Sequence, residues 1–449
     1  MNRLAAFALS FMASCMPVPQ ETASRATALT SVLPPMRVFT TEFRAPARRA
    51  NSEIAQDFLD LSFHMESGRA IPLMTRFEGP VSVRMTGQTN PTMVRDLEAL
   101  LGRLRNEAAI PISYSPGSAP AQITIEAVPR AIMQAAVPRA ACFVVPRLTS
   151  WEEFKIARRT PQVDWTTLTR RDRAVIFVPS DVAPQEIRDC LHEELAQALG
   201  PLNDLYRLPD SVFNDDNIHT VLTRFDMLIL RAYYDPALRN GMTRGEVAVR
   251  LPKVLAKINP GGQKSPTRLR NDTSRDWIDA IETALANGSS PATRRNAAQK
   301  AVMLSNAFGW TGPRQGFAYY ANGRLQVGND PNAALQSFNA AEQAYRVSAD
   351  TQIHAAHIAV QQAAFTLAAG DAERTIMLAD RYIEIAELHQ NAALLSTLMM
   401  FKAEALDMQG QTAAAEALRL DSLGWARYGF GSDTNVQARL NEIAALRPI

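Results

Sequence analysis

The chain carries almost no excess charge of either sign. Its 47 Lys+Arg residues stand against 45 Asp+Glu, a formal net charge of +2, and no basic run is interleaved with aromatic residues. This excludes the electrostatic footprint of a nucleic-acid-binding protein. Long apolar runs are missing as well: beyond the N-terminus nothing reaches the roughly 18 apolar residues of a membrane span. Cysteine is scarce, at three residues in 449, whereas the length leaves room for two or three domains with ample core.

What is there is best read outward from residues 189–213, DCLHEELAQALGPLNDLYRLPDSVF. Ile187, Leu191, Leu195, Ala198 and Leu199 recur at helical spacing and predict a helix with that face in the core. Asp181 is the expected N-cap, and Pro184 suits the first turn. Gly200 is the expected stop, in the left-handed conformation that glycine adopts cheaply. Residues 173–180, RAVIFVPS, read as the strand that feeds the helix. Glu193 and Gln197 are four apart, so they project from one side.

Within this stretch EELAQALGPLN resembles the metzincin zinc-peptidase pattern H-E-x-x-H-x-x-G-x-x-H. The resemblance puts Glu193, Gln197 and Asn203 at the three histidine positions, Glu194 at the general-base position and Gly200 at the turn. Residues 211–214, SVFN, are similar to the Met-turn, with Phe213 in place of methionine. DMLILRAYY, residues 226–234, is similar to the helix that closes that fold. Residues 58–254 also resemble a bacterial family known only as domain-of-unknown-function 2927, on DLSFHMESGR, TRFEGPV, HEELAQALGPLND and YYDPALRNGMTRGE. Together these imply an α+β zincin-like domain, a mixed sheet with an active-site-like helix.

A catalytic zinc needs three strong ligands and an open position for water. Glu193, Gln197 and Asn203 offer one carboxylate and two weak carbonyl oxygens, so this set is expected to hold zinc poorly. Glu194 would be catalytic only in an active enzyme, because water without a metal keeps a high pKa. His192-Glu193 gives a second H-E register, but Ala196 stands where its second histidine should be. His192, Asp204 and His219 are alternative ligands for an unconventional set, and an oxygen-rich set with Asp204 would suit Ca²⁺ or Mg²⁺. The simpler reading has no resident cofactor. Glu193, Glu194, Gln197 and Asn203 then form a hydrogen-bonded network under the loop, and His192 is an ordinary partly buried histidine.

The chain begins MNRLAAFALSFMASC. Arg3 and the apolar run after it read as a signal sequence, and Met12-Ala13-Ser14-Cys15 resembles a lipobox. Residues 1–14 are then removed, Cys15 carries the lipid, and Met16 favours the outer membrane. An ordinary cleaved signal and an uncleaved start are the alternatives. Residues 15–50, rich in Pro, Thr, Ser, Ala and Arg, read as a flexible tether. An exported compartment is oxidising, so the remaining pair, Cys142 and Cys190, is a disulfide candidate that would pin the helix to the sheet; two buried thiols are the alternative.

The first domain is expected over residues 51–256. Strands are read around 81–85, 110–114, 122–127, 142–145 and 175–178. Met93, Leu97, Leu100, Leu101 and Leu104 mark a helix started at Asn90-Pro91. Residues 151–173 form an unassigned insertion, whose Trp151 and Trp165 either line a groove or pack locally. Residues 257–275 read as a linker. Residues 276–449 turn to Ala-rich helices. Gly328, Gly370 and Gly410, roughly 40 residues apart, mark helix–helix turns, and Tyr319, Tyr320, Phe338 and Tyr345 recur among alanines. This looks like a degenerate tetratricopeptide-type array, without the Trp-Leu-Gly signature; a compact helical bundle is the alternative. His354 and His357, three apart, have no carboxylate or cysteine beside them in sequence and are not read as a site.

The function expected from these features is that of a periplasmic, membrane-anchored lipoprotein. Its zincin-like domain has lost catalysis, and its array binds an envelope protein or peptide on a concave surface. The alternative is a peptidase that uses zinc or another divalent cation on an atypical ligand set. Glycan hydrolysis by Glu193 and Glu194 is disfavoured, because adjacent helical residues point about 100° apart.

Overall fold

A computed structural model describes residues 33–39, 49–117, 119–138, 140–267, 272–286 and 288–448. The expected signal sequence, Cys15 and most of the tether lie outside these residues. The first half contains α1 (Asn51–Ser62), β1 (Val81–Gly87), α2 (Pro91–Glu107), β2 (Ile112–Tyr114), β3 (Ile123–Val128), α3 (Arg130–Ala136), β4 (Phe143–Pro146), α4 (Trp151–Ala157), β5 (Ala174–Pro179), α5 (Pro184–Leu199), α6 (Arg224–Tyr233) and α7 (Arg244–Ile258). The five strands make one sheet in the order β2-β1-β3-β5-β4. All neighbours are parallel except β4, an edge strand that runs antiparallel to β5. β5 is buried at every position, as expected of a β-branched run covered on both faces. Its apolar side chains join α1, α2, α5, α6 and α7 in one core.

The insertion is structured. Trp151 opens α4 and packs on the rings of Phe143, Phe154 and Phe177, at 6.4, 5.3 and 5.0 Å between centroids. Trp165 is buried beneath the Arg171 guanidinium, 4.8 Å from its ring centre. Both tryptophans therefore pack locally.

Two expectations for α5 fail in detail. Its N-cap is Ala183, which makes no side-chain cap, and Asp181 instead accepts from the Arg130 backbone N–H at 2.8 Å. Gly200 does end the helix, but with φ −162°, an extended backbone open to any residue. The glycine is needed for space, because a Cβ there would lie 3.0 Å from the Tyr233 ring.

The second half is all helix: α8 (Arg275–Leu285), α9 (Pro291–Ala307), α10 (Pro313–Gln326), α11 (Pro331–Tyr345), α12 (Gln352–Ala368), α13 (Ala372–Leu388), α14 (Ala392–Met408), α15 (Thr412–Phe430) and α16 (Asp433–Ala444). Gly370 and Gly410 take φ of +79° and +76° in the turns after α12 and α14, where a side chain would be strained. Small residues face aromatics across the helix pairs: a Cβ on Gly316 would come within 2.8 Å of Tyr345, and one on Gly323 within 2.6 Å of Phe338.

The halves are joined through α5 and residues 33–39. The latter lie along α15, with the Arg37 N–H donating to Gly424 O at 2.9 Å and Phe39 stacked on Trp425 at 4.6 Å. Gln185 donates to Asn391 Oδ1 at 3.1 Å and accepts from the Ala393 N–H at 3.0 Å. Tyr428 donates to Asp96 at 2.7 Å.

Cys142 and Cys190 form a disulfide that ties α5 to the chain just before β4 across a sequence separation of 48. Closing a loop of that length in the unfolded state stabilises the fold by about 2–4 kcal/mol. Reduction, or the pair Cys142→Ala and Cys190→Ala, is expected to lower the melting temperature accordingly. An unchanged melting curve would contradict this.

Candidate carboxyl-rich site on the buried helix

α5 sets the site because most of its surface is withdrawn from water, its polar residues included. Arg171 closes the helix end, donating to the carbonyls of Gln197 and Ala198 at 2.6 Å and of Gly200 at 2.5 Å. The Tyr234 hydroxyl donates to Leu199 O at 3.1 Å. The last turn's free carbonyls are thereby satisfied without water. At the other end Arg188 donates to Gln390 O at 2.6 Å and to Thr220 at 3.2 Å, and it stacks near the rings of Phe39 and Tyr428.

His192 is not aimed at the carboxyls. Its Nδ1 accepts the Leu222 N–H at 3.0 Å, so it is neutral, and burial first, then Arg103 and Arg188, holds its pKa well down. Asn203 is buried and donates its amide to the Asp60 carbonyl at 3.0 Å. Phe213 is fully buried in the core, and its carbonyl accepts from Leu205 N–H at 2.9 Å. The turn around it is held by Asp226, which accepts from Ser211, from the Val212 N–H at 3.2 Å and from the Thr223 N–H at 2.7 Å. His219 donates to Pro209 O at 2.9 Å.

The site positions that do come together are carboxyls. Glu193 is pushed up to about 8 by burial and by the charges of Glu66 and Asp215. Glu194 is raised well above the usual range by burial, then by Glu193 and Glu66. Asp204 is raised by burial, then by Glu66, Asp215 and Glu193, and Asp215 is raised to about 7 by burial and Glu66. Glu194 Oε2 and Asp204 Oδ1 are buried without a hydrogen-bond partner among the described residues. Glu66 is exposed, on the turn closed by the Met65 N–H to Arg69 O bond. Met65 and Arg69 of that turn also line an open depression of about 370 Å³ with Thr160, Asp164 and Trp165.

Sequence reasoning found Glu193, Glu194 and Asp204 but missed Glu66 and Asp215. It also missed an ion network centred on α1. Asp57 and Asp60 of α1 bind Arg207 at 2.7 and 2.9 Å, Arg49 reaches Asp57 at 2.8 Å, and Arg244 reaches Asp60 at 2.7 Å. Only T-x-x-D at Thr223–Asp226, a capping box, was legible as a local signal for Asp226.

Zinc does not fit the three positions that the resemblance assigns. Two are carboxamides, one of them with its amide nitrogen bound to Asp60 O, and among the described residues no three His, Cys, Asp or Glu side chains stand close enough to grip a metal.

The chain thus has an α/β domain with a five-stranded mixed sheet, joined to an all-helical region. Residues 51–253 match the family model described as Protein of unknown function (DUF2927), which supports that family for this span. No curated protein and no solved structure matches the chain.

The carboxyls bind protons that the unfolded chain releases between about pH 4.5 and 8, so their burial weakens the fold as pH rises through that window. Denaturant midpoints are expected to fall from pH 6 to pH 8.5, and Glu193→Gln to flatten that fall by roughly 1–2 kcal/mol. Equal slopes in both proteins would contradict it.

Proposed function

We propose that this protein is a non-catalytic binding protein of the cell envelope. Its α/β domain keeps a zincin-like layout, and its helical array, of tetratricopeptide-like design, takes up an envelope protein or peptide. A lipid on Cys15 holds it in the periplasm at the outer membrane. The observation that carries the reading is the third ligand position, where a buried carboxamide stands in place of an imidazole and is anchored through its Nδ2–H to the Asp60 carbonyl. The strand feeding a helix, the chain turning back after Gly200, and the buried turn at Phe213 support the zincin-like layout.

A second reading is favoured by one feature, the buried and unpartnered oxygens of Glu194 and Asp204. With Glu193 they are hard donors of the kind that suit a divalent cation, but the three do not lie close enough to share one as they stand, so this reading requires them to converge when the ion binds. In that case Glu194 is the general base.

Elemental analysis of protein purified without chelator, with a peptidase assay on the same sample, separates the two. The first reading expects substoichiometric zinc and no cleavage. Stoichiometric metal that is lost in Glu193→Ala or Gln197→Ala, with metal-dependent cleavage, would establish the second. Cys15→Ser is expected to move the protein from the membrane pellet to the soluble fraction.

A further inference from the structure

Residues 33–39, LPPMRVF, form neither helix nor strand, yet α15 holds them along their length. Pro34 and Pro35 fix their own φ and bias the residue before each toward an extended backbone, so the segment is straight before it docks. Leu33 is buried in the core of the array. Pro34, Met36 and Val38 are half-buried, and Pro35 and Arg37 between them are exposed. Met36, Val38 and Phe39 pack on that same core.

α15 presents a matching set of groups. Its Gly424 carbonyl accepts from the Arg37 N–H at 2.9 Å, and Arg427 donates to the Pro34 carbonyl at 2.9 Å. Asp421 pairs with the Arg37 guanidinium at 2.5 Å, and that guanidinium lies 5.7 Å from the centre of the Trp425 ring. Phe39 stacks on Trp425 at 4.6 Å and meets Tyr428 edge-on at 6.5 Å. The Arg188 guanidinium of α5 lies 5.6 Å from the centre of the Phe39 ring. Gly424 leaves room for the approach, since a Cβ there would lie 2.9 Å from Arg37 Cγ and 3.2 Å from Pro35 O. Backbone hydrogen bonds, an acidic partner for one cation and a cage for one ring are the means by which aromatic-lined grooves recognise proline-led extended peptides.

We propose that this face of α15 is a docking groove for an extended peptide of the pattern Pro-x-Arg-x-aromatic, and that residues 33–39 are its resident ligand in cis. The proposal rests on the reading of the helical array as a peptide-binding module and gives it one site and one peptide chemistry. Each contact is made to something that a separate peptide can present equally well: a straight backbone, one cation and one ring. Asp421 selects the cation, and Trp425, Tyr428 and Arg188 select the ring. Nine residues, 40–48, separate Phe39 from Arg49, which is itself fixed by Asp57 at 2.8 Å. A link of that length gives the resident segment an effective concentration on the order of millimolar. It therefore closes the groove to weak peptides and gives way to a partner that binds more tightly.

The test is fluorescence anisotropy of a labelled LPPMRVF peptide titrated with the full chain. Phe39→Ala weakens the resident copy, so this variant is expected to bind the peptide about tenfold or more tighter than the unaltered chain does. Arg37→Ala, a change at an exposed side chain, should act in the same direction and serves where Phe39→Ala does not fold. Added to Phe39→Ala, Asp421→Arg should abolish binding of that peptide and restore it for a peptide carrying Arg37→Glu, a reversal that misfolding would not produce. Gly424→Ala favours the helix and should nevertheless weaken binding. Equal affinity in the unaltered chain and both variants would overturn the resident ligand. Binding untouched by Asp421→Arg and Gly424→Ala would overturn the groove and leave the array a peptide binder elsewhere on its surface. No binding by any form would overturn the groove as well. A concentration-dependent dimer of the unaltered chain, abolished by Phe39→Ala, would place the segment on a second copy and overturn the assignment in cis.

Discussion

Twelve of the sixteen residues of α5 are withdrawn from water, and Gln185, Arg188, His192, Glu194 and Gln197 are among them. A buried polar group costs on the order of 1–3 kcal/mol unless it is paired. The surroundings of α5 are largely the set of partners that this demands. Gln185 and Arg188 reach the turn between α13 and α14, His192 reaches the backbone at Leu222, and Arg171 seals the C-terminal carbonyls. Gln185 and Arg188 together fasten the helix to the array and His192 fastens it to the loop before α6, so the array is docked through hydrogen bonds that the α/β domain needs for its own satisfaction.

The same constraint explains the carboxyls. Acidic side chains crowded in low dielectric need a counter-charge, and the arginines nearby are committed elsewhere: Arg188 to Gln390 O and Thr220, Arg207 to Asp57 and Asp60. Protons supply the neutrality instead, which is why Glu193 and Asp215 are raised to about 8 and about 7. A histidine triad around zinc would put positive charge at this point and hold Glu194 ionised. Replacing imidazoles by a carboxyl and two amides therefore changes the protonation of the whole pocket, in addition to removing ligands.

Much of this architecture was legible in the sequence because it is written locally. The apolar period of α5, the capping Asn90 with Pro91, the β-branched run of β5 and the glycines of the helical turns each act within a few residues. Cys142 and Cys190 could be paired because they were the two cysteines left in an oxidising reading. What was not legible depends on contacts distant in sequence. Gly200 answers the Tyr233 ring rather than a left-handed turn. Asp181 is drawn from its helix by Arg130. Glu66 reaches the α5 carboxyls from a turn far upstream. His354 and His357 lacked a neighbouring carboxylate only along the chain, for in space Asp216 is 3.1 Å from His354.

The loop between α5 and α6 draws these threads together. One stretch of it, with Asp204 and Asp215, belongs to groups whose folded values lie above their free ones; another, with His219, belongs to groups whose values lie below. It is also pinned independently of both, through the Val212 backbone by Asp226 and through the Arg207 side chain by the α1 aspartates. As pH falls from 8 toward 6 the carboxyl stretch takes up protons and loses its mutual repulsion while these pins stay as they are, so the loop holds more firmly to the α/β domain over that range.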